Sequence, residues 1–169
     1  MTDKIYSRVK DAEKIIKDLC EKYPQVFWAV KPDRINVLGI ENKQRSDKNK
    51  VLAKIKPMRG LEKAIMEMNQ VGVDYVIELY WSDFNVWSSK LKKLILAHEI
   101  LHVSPDHGKT VKHDCEDFRI FLDAFGVDWS LNADKLPDIL DENVKFNLNL
   151  LPSLEQDHTD GENNDADEE

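Results

Sequence analysis

The chain has 169 residues, 41% of them hydrophobic and 33% charged, which suits one folded domain with its own core. No apolar run reaches the roughly 18 residues that a membrane helix needs, and the opening Met1-Thr2-Asp3-Lys4-Ile5-Tyr6 lacks the basic-then-apolar pattern of a secretory signal. The net charge of −8 is concentrated at one end: Ser153 to Glu169 hold eight acidic residues and no Lys or Arg, and the other 24 acids match 24 bases.

These features predict a domain over residues 1–152 and an acidic tail over 153–169 that cannot bury enough apolar area to order itself. His158, inside that stretch, reads as a solvated histidine. Cys20 and Cys115 are too few for a disulfide framework, so they read as reduced thiols of a cytoplasmic protein.

Ile5, Val9, Ala12, Ile15, Ile16 and Leu19 recur at helical spacing and predict a helix over residues 3–22, stopped by Pro24. Val26–Val30 and Arg34–Leu38 read as two short strands turning through Lys31-Pro32-Asp33. Glu41–Lys50 is polar and reads as a loop, and Val51–Lys56 alternates like a half-buried strand. Leu61–Asn69 reads as a short helix. Tyr75–Trp81 is the strongest strand candidate, and an exposed edge there would accept an extended peptide. Ser88-Ser89 can cap a helix that runs to about His102, broken by Pro105-Asp106-His107-Gly108. A further helix is predicted from Lys112 to Phe125, ending at Gly126, and Leu136–Leu151 fits either a short helix or an extended arm.

The chemistry concentrates in His98-Glu99-Ile100-Leu101-His102. Residues four apart lie on one helix face, so His98 and His102 present two imidazoles to a common point, at a spacing that zinc accepts. Glu99 is rotated by one residue, which sets its carboxylate beside the metal and not on it. There it can take a proton from water that zinc has acidified. Such a site needs a third protein ligand and leaves a fourth position open. The spacing HExxHxxGxxH fails, because Pro105 and Gly108 stand where Gly and His would be required. His107 falls one residue short, in a turn. His113 is the first choice for the third ligand; a carboxylate just beyond it, where Glu116 and Asp117 stand, is the second, with Glu116 preferred. Asp114 either orients a histidine or caps a helix. Arg119 and Tyr80 are candidates for oxyanion stabilisation, and Trp81, Phe84 and Trp87 are either cleft-lining or core.

His98-Glu99-Ile100-Leu101-His102, Gly108-Lys109, His113-Asp114-Cys115-Glu116-Asp117-Phe118 and Phe125-Gly126-Val127-Asp128-Trp129 together resemble the putative phage metallopeptidase family. The likeness extends upstream over about residues 20–130. It departs from the family pattern at Val111-Lys112, where an Arg-Pro is usual. The resemblance implies a small α+β zincin-like domain with a short mixed or antiparallel sheet, an HExxH helix and a following ligand helix. It implies His98, His102 and His113 as zinc ligands and Glu99 as the catalytic acidic residue.

The expected function is zinc-dependent hydrolysis of a protein or peptide. The other readings are a binding module with a structural zinc, or a regulatory phage protein of this fold without activity. Residues 31–63 hold ten Lys or Arg and four acids, which makes a nucleic-acid patch a second partner expectation beside a solvated strand-loop-strand. No membrane partner is expected. The expected location is the cytoplasm of a bacterial host.

Overall fold

The computed structural model describes residues 4–43, 51–115 and 117–152. The predicted start of the first helix at residue 3, residues 44–50 of the predicted loop, Glu116 and the predicted tail with His158 lie outside the described residues.

The fold is α+β: four strands form one mixed sheet, and five α-helices are described. In chain order these are β1 (Tyr6–Arg8), α1 (Lys10–Lys22), β2 (Ile35–Ile40), β3 (Ala53–Pro57), α2 (Gly60–Met68), β4 (Tyr75–Tyr80), α3 (Trp81–Val86), α4 (Ser89–Leu101) and α5 (Arg119–Phe125). The sheet order is β1-β2-β4-β3, with β2 and β4 parallel and the outer pairs antiparallel. No helix among the described residues is long and apolar enough to cross a membrane.

Strand alternation sorts the sheet into two faces. Ile35, Val37, Ile55, Tyr75, Ile77 and Leu79 are buried and join Ala12, Ile16 and Leu19 of α1 and Leu94, Leu96 and Ile100 of α4 in one core. The opposite face is half exposed and polar, and there Tyr6 and Lys56 converge on Glu78 at 3.0 and 2.6 Å.

Several expectations give way to tertiary pairing. The first helix begins at Lys10, because residues 6–8 pair with β2 instead, Tyr6 against Ile40. Val26–Val30 is not a strand. Its amides close turns on Tyr23 and Phe27, and no described strand pairs with it. β4 is central, flanked by β2 and β3, so Tyr75–Trp81 offers no open edge; the edge strands are β1 and β3. The last helix starts at Arg119, seven residues after Lys112, and His113 lies in irregular chain ahead of it. α3 was not expected. Its Phe84 is buried and packs against Trp81 and Trp87 at ring distances of 6.3 and 5.9 Å, so these aromatics form a core.

Residues 136–151 form an irregular arm with one 3-10 turn at Leu148–Leu150. Lysines and a tyrosine of the helical layer hold it: Lys22 Nζ donates to the Leu140 and Glu142 carbonyls, Tyr23 Oη to Ile139, Lys90 Nζ to Leu136, and Lys93 Nζ to Asp138. α4 itself starts where expected, with Ser88 Oγ accepting from Leu91 N at 3.3 Å.

The chain after α4 is held from beneath by Tyr75. Its buried hydroxyl donates to the Lys109 carbonyl at 2.8 Å and accepts from the Ser104 amide at 3.1 Å. Tyr75→Phe strands both backbone groups and is expected to cost about 1–3 kcal/mol in denaturant unfolding. A cost below about 0.5 kcal/mol contradicts this role.

Candidate metal centre

α4 carries His98 and His102 one turn apart, as the spacing requires. Past its end the chain reverses. Val103 bridges to Thr110, and Val111 N donates to the His102 carbonyl at 2.8 Å. This reversal brings His113 back over the helix, although it is not part of a helix itself. Its Nε2 stands 3.3 Å from His98 Nε2, and one ligand atom from each of His98, His102 and His113 lies within 4.8 Å of the others. Two nitrogens bound tetrahedrally at about 2.0–2.1 Å from one ion stand roughly 3.3 Å apart, so the spacing fits a shared zinc-sized cation.

The second nitrogen of two rings is occupied in a way that suits this. His102 Nδ1 donates to the Val111 carbonyl at 2.6 Å, which leaves Nε2 as the lone-pair nitrogen. His98 Nδ1 faces Asp117 Oδ1 at 3.0 Å, within ion-pair distance though not aligned as a hydrogen bond. Burial, with help from the neighbouring imidazoles, pushes His102 down to about 4, and burial and His98 also lower His113. Both rings are therefore neutral near pH 7, the form that binds metal.

Asp117, named in the sequence only beside Glu116 as a carboxylate near the third-ligand position, is the carboxylate that faces His98. Burial pushes its pKa up, but His98, the Trp129 indole and the Phe118 amide outweigh that and hold it at about 2. Trp129 Nε1 donates to its Oδ2 at 2.9 Å, and the Trp129 ring lies 5.4 Å from His98 with an interplanar angle of 27°. Asp114 takes the capping alternative, accepting from Arg119 N at 2.9 Å. Phe118, read only as core, is fully buried, and its ring lies 4.7–5.6 Å from all three imidazoles. The sequence signal for Asp117 was its position four residues after His113, next to that buried aromatic.

Glu99 is 7% exposed, and its Oε2 accepts from the Ile55 amide at 2.8 Å. Burial raises its pKa above the usual carboxylate range. The histidines, Glu99 and Asp117 line a cleft of about 520 Å³ whose walls include Leu52, Ala53, Ile95, Val127 and Trp129. Tyr80 and Arg119 do not line it. His107 lies elsewhere, with φ of 44° and Nδ1 3.9 Å from Asp74 Oδ2. In the basic stretch, Arg34 and Lys63 pair with Asp74 and Lys56 with Glu78.

The family model described as putative phage metallopeptidase matches residues 4–140. The chain belongs to that family. The match spans the sheet, α4 and every residue of the histidine cluster, so it supports a metallopeptidase at the level of the family and a metal ion at this cluster. No curated protein and no solved structure matches the chain.

Two outcomes follow from this metallopeptidase-family site. Asp117→Asn keeps an acceptor for Trp129 but removes the charge facing His98, and it should weaken metal binding about 10–100-fold in a chelator competition. In the metal-free protein, His102 is held at about 4 against an ordinary 6.5. The unfolded chain therefore binds more protons in that window, and stability should fall as pH drops from 6.5 to 4, by at most about 3 kcal/mol. His102→Gln should flatten this dependence, and an unchanged slope contradicts the assignment.

Proposed function

We propose that this protein is a zinc-dependent metallopeptidase that hydrolyses peptide bonds in the cytoplasm of a bacterial host. The observation that carries the reading is the convergence of His98, His102 and His113, with the buried carboxylate of Glu99 beside them. Three protein ligands leave one position for water or substrate, the pattern of catalytic rather than structural zinc. The ligand set proposed is therefore His98, His102 and His113. When bound, the zinc ion makes water acidic enough to lose a proton near neutral pH and polarises the scissile carbonyl.

The protein's own groups divide the remaining work. Glu99 accepts the proton from water and passes it to the leaving amine. Burial supports this, because it raises the Glu99 pKa and so makes its carboxylate a better proton acceptor. With Oε2 held by Ile55, Oε1 is the oxygen that moves the proton. Asp117 and the Val111 carbonyl fix the His98 and His102 rings so that each offers Nε2. A peptide substrate would lie along the open edge of β3, where backbone pairing supplies affinity whatever the side chains. The apolar walls from Leu52, Ile95, Val127 and Trp129 favour an apolar side chain near the scissile bond.

Glu99→Gln tests the division of roles. Zinc should remain near one per chain by metal analysis, while cleavage of a peptide library falls by about 100-fold or more. His113→Ala should lose zinc and activity together. If Glu99→Gln sheds zinc, or cleaves as well as wild type, the base assignment is wrong. If His113→Ala keeps zinc, the third ligand is another residue.

A further inference from the structure

β3 touches both sides of the cleft chemistry. Lys54, Lys56 and, just past its end, Met58 stand in the register that bonds to β4, with Met58 N donating to the Asp74 carbonyl at 2.7 Å. In such a pair, backbone groups point alternately toward the partner strand and away from it. The N–H groups of Ala53 and Ile55 therefore face the open side of the sheet. Pro57 has the same parity, and an outward position on an edge strand is where proline is tolerated. On the open side, the Ile55 amide meets Glu99 Oε2 at 2.8 Å in buried surroundings. The sheet itself does not use this bond.

We infer that the open edge of β3 is divided: the Ile55 N–H is a positioning group for Glu99, and a docking peptide pairs only with the stretch before it, through Ala53. The docking half rests on the peptidase reading, whereas the Glu99 half rests on the hydrogen bond alone. A carboxylate at the end of a glutamate side chain rotates over a broad, shallow torsion, so one pinned oxygen fixes where the other points. Buried beside three imidazoles, an unpinned Glu99 could turn either oxygen away from the cleft. The same amide cannot also donate to a substrate carbonyl. Ala53 is two residues away on the same side, and it lines the cleft with Val51, Leu52 and Lys54. A peptide that pairs with Ala53 is therefore held by the strand that also holds the proton carrier.

Two prolines on one edge separate the halves, because each deletes one outward N–H and no ladder bond. Zinc content and melting temperature are measured first, with Ile55→Ala and Ala53→Gly as controls that keep the amides. Zinc-loaded Ile55→Pro should show kcat lowered roughly 10-fold or more on a peptide that wild type cleaves, with KM within about 2-fold. Ala53→Pro should show the reverse, a KM raised roughly 10-fold with kcat nearly unchanged. An independent readout uses the metal-free protein and no substrate. Amide hydrogen exchange at Ile55 should be slow in wild type and Glu99→Gln, and about 10-fold faster or more in Glu99→Ala. Equal exchange in wild type and Glu99→Ala overturns the positioning half, even if a proline variant does not fold. A wild-type kcat for Ile55→Pro overturns it too, and a wild-type KM for Ala53→Pro overturns the docking half. If wild type cleaves no peptide, the docking half falls with the peptidase reading, and the exchange rates still decide the Glu99 half.

Discussion

The burial of α4 is the constraint on which the rest of the molecule depends. Leu94, Ile95, Leu96, Ala97, Ile100 and Leu101 are all buried, so the second half of this helix is apolar nearly all the way round. Only the stripe through His98 and His102 reaches the cleft. A rotation of the helix that moved the imidazoles would expose leucines or bury a ring nitrogen without a partner, and close packing resists both. The core thus fixes two of the three clustered nitrogens before any metal is considered.

The third nitrogen has no helix to carry it, and its placement rests on hydrogen bonds. The Val103–Thr110 bridge and the paired contacts between His102 and Val111 turn the chain back on itself. The contact that closes this reversal also sets the tautomer of His102, so one bond between a ring and a carbonyl serves geometry and chemistry together. Phe118 lies beneath all three rings and excludes water from that side. The neutral His102 and His113 rings follow from this dry floor, because burial penalises their charged forms.

What was legible in the sequence was local. The i, i+4 pair, the Ser88 cap and the alternation within Val51–Lys56 depend on neighbours a few residues apart; the first two appear as read, and the strand begins two residues later, at Ala53. Most of the misreadings come from distant pairing, and one from local turns. Residues 6–8 have helical spacing but are drawn into the sheet by β2, more than thirty positions away. Val26–Val30 has strand composition, yet its amides close local turns. The described residues from Lys112 to Phe118 are not helical, and there His113 and Asp117 both turn toward His98 of α4. Sheet order is not encoded in any one segment, so the central place of β4 and the open edge of β3 could not be read. The orienting role of Asp117 could not be read for the same reason, since its partners His98 and Trp129 lie 19 and 12 positions away.

An open strand edge next to a catalytic-type cleft raises a problem of its own, because such an edge also invites other strands. β3 carries three features that natural edges use against this. It is five residues long, it presents Lys54 and Lys56, and it ends in Pro57. Glu99 adds a fourth by capping the Ile55 amide. What remains accessible is the beginning of the strand around Ala53, and that part lies inside the cleft, walled by Val127 and Trp129. A strand from another molecule approaching this part would meet those walls. On the proposed peptidase reading, the features that keep the edge from pairing indiscriminately would also set which part of it a substrate uses.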